Sequence, residues 1–201
     1  LVATALLATG LLLAFATVRT AMQVSQRGET AVAANEVMRG VHDVLRSRLQ
    51  SALPVSFEPA VEGQLPMRFD GQRQRLRFVS QVPAYFGRGG PYLHELTVRR
   101  AASGEGSELL LGLELVNAGQ RIPERVPRPP EVIADGLREV RLRYRGINVD
   151  DGQLGDWQDS WEWSEQQRPP LLVSISVQPL QGRAWPELVV AIAQARPGVA
   201  P

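Results

Sequence analysis

The chain has 201 residues, and its 22 basic residues, every one an arginine, face 21 acids for a net charge of +1. So even a balance argues against a nucleic-acid footprint, which needs a clustered basic face, and the absence of lysine reads first as composition bias. Zero cysteines exclude disulfides, thiolate catalysis and Cys-ligated zinc, while an oxidising compartment stays open because a domain of this size needs no covalent staples.

Residues 1–18, LVATALLATGLLLAFATV, carry no charge and are closed by Arg19. As a helix this run spans about 27 Å, close to the roughly 30 Å hydrocarbon core of a bilayer. Leu1, Val2, Leu6, Leu7, Leu11, Leu12, Leu13 and Phe15 supply its bulk, and Ala3, Ala5, Ala8 and Gly10 would let neighbouring helices approach closely. The chain begins at Leu rather than Met, so residues upstream are expected. Ala14-Phe15-Ala16 offers a small-x-small cleavage site for a signal peptide, but the helical pattern continues past it, which favours a retained segment.

From Thr20 to Leu53 there is no proline, and the only glycines are Gly28 and Gly40. Val37, Val41, Val44/Leu45, Leu49 and Leu53 recur at steps of three or four, a helical stripe. The expectation is one N-terminal helix over 1–53, with 1–18 in membrane or filament core and 19–53 amphipathic. It should end at Leu53-Pro54, since proline disfavours a helical residue before it. Val37, Val41, Val44, Leu45 and Leu49 form the face that packs on the head or on partners.

Residues 54–201 change texture to short runs split by Gly and Pro, the signature of an antiparallel sheet. Met67–Phe69 and Leu76–Val82 read as a hairpin turned at Asp70-Gly71. FGRGGP at 86–91 is a glycine-rich loop, but a strand rather than a helix follows it, which disfavours a phosphate cradle. Leu93–Arg99 and Leu109–Val116 flank a second hairpin tip, AASGEGS. IPERVPRPP at 122–130 is too proline-dense for a central strand and reads as an extended edge or connector. Leu137–Arg145 alternates, with Val140, Leu142 and Tyr144 on one face and an arginine row on the other, more simply solvated than ligand-binding.

NVDDGQLGDWQDSWEWSE at 148–165 mixes acids with aromatics. Asp150, Asp151, Asp156 and Asp159 invite a calcium reading, but their spacing does not fit an EF-hand loop. Trp157, Trp161 and Trp163 read as core anchors, the last two on one face of a strand. Leu171–Gln178 and Leu188–Ala195 make a terminal hairpin around Gln181-Gly182. His42 and His94 stand apart from any ligand set, and no serine sits in a nucleophile elbow. No catalytic residue, metal site or cofactor follows from the residues, so the chain reads as a structural or interaction protein.

A long helix, apolar and then amphipathic, that feeds an antiparallel sheet resembles the type IV pilins and secretion pseudopilins. LRFVS at 76–80, GGPYLHELTV at 89–98, LREVRLRYRG at 137–146, the three tryptophans and PPLLVSISV at 169–177 follow one another in an order similar to the J-type minor pseudopilins of the type II secretion system. The resemblance implies an α+β pilin-like fold and a non-enzymatic subunit of the pseudopilus tip that takes part in export across the outer membrane. It also implies I-type and K-type minor pseudopilins and other pseudopilus subunits as partners. Before assembly the chain would lie in inner-membrane lipid as a single-pass protein with a periplasmic head, its precursor trimmed by prepilin peptidase. Two alternatives stay open: a minor pilin of a type IV pilus or competence system, and a cleaved periplasmic β-rich binding protein.

Overall fold

A computed structural model describes residues 15, 19, 32–59, 65–83, 89–123, 128–148, 152–163 and 168–194. Leu1, Val2, Ala3, Leu6, Leu7, Gly10, Leu11, Leu12 and Leu13 lie outside the described residues, as do Asp150 and Asp151. Phe15 and Arg19 are helical and exposed, Phe15 at 69%. Among the described residues no helix is long and apolar enough to cross a membrane. The chain divides into two compact units, Leu1–Gly40 and Val41–Pro201. Helix α1 covers residues 32–50. Its part within the first unit is solvent-facing apart from the half-buried Met38.

The second unit is built on an antiparallel sheet. Its strands are β1 (Ala52–Leu53), β2 (Phe69–Gly71), β3 (Arg75–Val82), β4 (Gly90–Arg100), β5 (Ser107–Asn117), β6 (Gln120–Ile122), β7 (Glu131–Arg145), β8 (Leu172–Pro179) and β9 (Leu188–Ala191). They run in the order β1-β3-β4-β5-β7-β8-β9, with β2 added on β3 and β6 on β5. α1 thus ends at residue 50, three residues before Leu53, because the chain must turn there to place Ala52 opposite Ser80 on β3.

Alternation decides which face each strand buries. Leu76, Phe78, Leu96, Leu109, Leu142, Tyr144, Val173, Ile175 and Val190 point into one core, which Val41, Leu45 and Leu49 of α1 cover. A smaller cluster of Phe57, Val79, Leu93 and Val116 lies apart from it, with Leu53, Val55 and Met67 packed against it. β3 therefore buries neighbours Phe78, Val79 and Ser80 together, the pattern of a strand covered on both sides.

Two hairpins form where the sequence places them. Ala101–Gly106 closes β4 on β5, with left-handed glycines at Gly104 (φ 80°) and Gly106 (φ 75°), and β8 pairs with β9. The Asp70-Gly71 turn is a correction. Both residues are in β2, opposite Arg77 and Leu76, and the chain reverses over Gln72–Gln74, where the Gln72 N–H donates to the Arg75 carbonyl at 2.7 Å. The two central positions of a tight turn project toward solvent, whereas Asp70 and Gly71 are both needed in the interior, for the reasons given below. β7 begins at Glu131, earlier than the alternation suggests, because register shifts against β5 break the pattern before Leu137. Trp161 and Trp163 are a second correction. They are buried at 2% and 7% exposure, but Trp161 lies on an irregular segment that touches the sheet through single bridges, Gly71 with Trp161 and Tyr144 with Gln158, and Trp163 is helical.

Candidate functional site

The helix is the first element whose side chains take distinct roles. Val41, Leu45 and Leu49 are 6%, 2% and 0% exposed, whereas Val37 and Val44 are 51% and 42% exposed. A β-branched residue left in water on a helix gains nothing from propensity or burial. The head side of α1 is further tied down by Arg48, whose Nη1 donates to the Gln81 carbonyl at 3.1 Å. His42 packs edge-on against Trp185, with 5.6 Å between ring centroids.

Below the helix, Asp70 accepts from Arg75 Nη2 at 3.0 Å and Arg77 Nε at 2.9 Å, while Arg77 Nη1 also donates to Glu58 at 2.7 Å. The Asp70 and Arg77 side chains are only 11% and 12% exposed. The guanidinium of Arg77 lies 5.2 Å from the Phe57 ring centre. Gly71 sits against Tyr144, where a Cβ would come within 2.7 Å of the ring. Burial, with Asp70 nearby, pushes the Tyr144 phenol far above its ordinary range, so it remains a neutral donor. This cluster is structural, and sequence reading missed it because it mistook its two central residues for a turn. The signal available was the pair of arginines at i, i+2 on β3, which must share a face and so need an acid opposite.

His94 is fully buried, stacked on Phe78 with 5.3 Å between centroids, and its Nδ1–H donates to the Tyr92 carbonyl at 3.0 Å. The Ser80 hydroxyl lies 3.4 Å from each ring nitrogen. Burial pulls its pKa down to about 4, which keeps it neutral. A neutral imidazole boxed by a serine, a carbonyl and a phenyl ring has no access to a substrate.

The arginine row of β7 is largely engaged. Arg143 donates to Glu187 at 3.3 Å, Arg141 to Glu139 at 2.9 Å, and Arg145 Nε to the Gly155 carbonyl at 2.7 Å. Arg143 and Arg145 both sit over Trp157, at 5.5 and 5.9 Å from the ring centre. Trp157 is therefore half-buried beneath guanidinium groups rather than a core anchor like Trp161 and Trp163. Glu187 also accepts from the Ser174 hydroxyl, and that bond first, then Arg143, holds its carboxyl below its usual range. Asp159 pairs with Arg73 at 2.5 Å. Among the described residues no group of three or more His, Asp or Glu side chains could hold a metal ion.

Within the second unit, Val41, Leu45 and Leu49 join the core of the sheet while Val44 stays exposed, and many of the sheet's arginines are paired with acids. Compared with known proteins, the chain is 44% identical over 198 residues to type II secretion system protein J of Xanthomonas campestris pv. campestris, covering 98% of this chain and 92% of that protein. The chain belongs to the J-type minor pseudopilins of the type II secretion system. No family model matches it. In a minor pseudopilin, a structural component of the secretion system, the functional surface is a set of faces that meet other subunits.

Proposed function

We propose that this J-type minor pseudopilin is a structural, non-enzymatic subunit of the pseudopilus tip, organised as an N-terminal arm over 1–53, whose helix α1 ends at residue 50, and a periplasmic head over 54–201. The observation that carries the reading is its likeness, along nearly its whole length, to a type II secretion system protein J. The run Leu1–Val18 holds the chain in the inner membrane before assembly and packs against neighbouring leader helices afterwards. Transfer from lipid to a helix bundle need not be costly, since lipid tails and apolar side chains are alike, and Ala3, Ala5, Ala8 and Gly10 permit close packing. Arg19 marks the end of the buried layer, its head able to snorkel to the interface.

Along the amphipathic part, Val41, Leu45 and Leu49 fix the helix to the head, and Val37 and Val44 face the I-type and K-type minor pseudopilins. Prepilin peptidase acts on the precursor upstream. The test is cross-linking followed by copurification of the full chain from native host membranes. Recovery of I-type and K-type pseudopilins in one complex is the expected result. Recovery of type IV pilus subunits in their place, or of the chain alone, would overturn the reading.

A further inference from the structure

The antiparallel sheet ends on β9, which pairs with β8 on one side. Which of its main-chain groups face outward follows from a single bond. The Ile192 N–H donates to the Leu171 carbonyl at 2.9 Å, continuing the register that sets Val190 opposite Val173 and Leu188 opposite Ile175. Along an antiparallel ladder, residues alternate between bonding to the neighbouring strand and turning their N–H and C=O away from it. Leu188, Val190 and Ile192 therefore bond inward, and Val189, Ala191 and Ala193 turn theirs outward. Those three residues are exposed, Val189 at 44%, and among the described residues no strand pairs with that edge.

The sheet's other outer strands are blunted. β1 is two residues long and runs into Pro54, and β6 is three residues long, holds Arg121 and is followed by Pro123. The outer side of β2 is occupied by Trp161, whose N–H donates to the Gly71 carbonyl at 2.7 Å and whose carbonyl accepts from the Gly71 N–H at 3.2 Å. Charge, proline, bulges, short length and cover are the devices that keep an edge from recruiting a foreign strand. Residues 188–193, LVVAIA, carry neither charge nor proline, and β9 shows no register shift against β8. An uncharged run of this kind is what another strand joins most easily.

A row of outward N–H and C=O groups is complementary to extended backbone. We propose that β9 is the docking edge for an extended segment of a neighbouring subunit, which adds to the sheet as a strand. Its main chain bonds to Val189, Ala191 and Ala193, and its apolar side chains lie beside the exposed Val189. The proposal rests on the reading of the chain as a subunit of an assembly, which supplies the partner. The chain's own residues 195–201, ARPGVAP, are poorly suited to the place, since two of them are prolines with no N–H to give a ladder.

The test is hydrogen exchange read residue by residue on the full chain, both purified and in cross-linked assemblies from native host membranes. In the purified chain the Val190 amide should be protected and those of Val189 and Ala191 should exchange freely. In the assembly the latter two should slow by about tenfold or more. Val189→Pro removes an outward donor at a position where an edge strand tolerates proline. It should leave the denaturation midpoint of the purified chain unchanged and lower both assembly and secretion. Free exchange at Val189 and Ala191 in the assembly would overturn the proposal, as would a folded Val189→Pro variant that assembles and secretes normally. So would protection already present in the purified chain: lost on deletion of residues 195–201 it would assign the edge to the chain's own end, and rising with concentration it would assign it to a second copy. An assembly with unprotected β9 amides overturns this proposal alone, whereas recovery of the chain without any other subunit overturns the assembly reading with it.

Discussion

The Tyr144 hydroxyl donates to the Gln72 carbonyl at 2.8 Å, joining β7 to the turn after β2 across 72 residues of chain. The bond is possible only because residue 71 has no side chain. Gly71→Ala would set a Cβ within 2.7 Å of the Tyr144 ring, which the Phe69 ring also hems in at 6.0 Å between centroids. Overpacking of this kind costs about 1–3 kcal/mol. Urea denaturation followed by near-ultraviolet circular dichroism should show Gly71→Ala destabilised by about 2 kcal/mol. Gly40→Ala is the control, since a Cβ there meets nothing within 4 Å and alanine favours a helix by up to about 1 kcal/mol over glycine.

The Asp70 carboxylate gives a second effect. Asp70→Asn would leave Arg77, 12% exposed, without its charge partner on that side. Removing one member of a buried pair costs about 3–5 kcal/mol when the other charge is left unpaired; Arg77 keeps Glu58 at 2.7 Å, so the loss should fall below that range. Arg75→Gln removes a partner that is 36% exposed, and exposed pairs contribute at most about 1 kcal/mol. Denaturation midpoints should therefore fall much further for Asp70→Asn than for Arg75→Gln.

These two sites also mark where the sequence is legible and where it is not. Strict alternation at Val140, Leu142 and Tyr144 identifies β7's buried face because one period-two pattern has one solution. The hairpins at Ala101–Gly106 and β8–β9 are legible for the same reason, since apolar runs bracket short polar turns. Asp70-Gly71 carries the composition of a turn, but the arginines of β3 and the ring of Tyr144 demand those same two residues in a strand. Tertiary needs outrank a local preference worth a few tenths of a kcal/mol to about 1 kcal/mol. The bond from Tyr144 to the Gln72 carbonyl is illegible in principle, because its partners lie 72 residues apart.

Acid should destabilise the head through its histidines. Burial lowers the pKa of His94 to about 4 from 6.5, and burial with Arg46 nearby lowers that of His42. The unfolded chain therefore binds more protons than the folded one between those values. The stabilisation is complete above pH 6.5 and is lost as pH falls toward 4, by about 3 kcal/mol for His94. Stability measured from pH 7 to pH 5 should decline, and His94→Phe should remove most of that slope; an unchanged slope would count against the burial argument.

Charge on the two faces of α1 should separate folding from assembly. Leu45→Asp places a carboxylate at a 2% exposed position, where an unpaired charge is a large penalty. The head should unfold, and Val41→Asp should behave alike. Val44→Asp, at 42% exposure, should change stability by no more than about 0.5 kcal/mol yet reduce secretion when it replaces the native chain. A charge at Leu7 should spare the head and disrupt membrane insertion or assembly; normal secretion by that variant would count against the anchor.

The most direct measurement is photo-cross-linking in the native host with a benzophenone side chain at position 44 or at position 45. The expected result is a cross-link from position 44 to an I-type or K-type pseudopilin, with position 45 giving only products within the chain. Intermolecular products from position 45 alone, or none from position 44 in cells that secrete normally, would contradict a helix that holds the head with one face and meets its partners with the other.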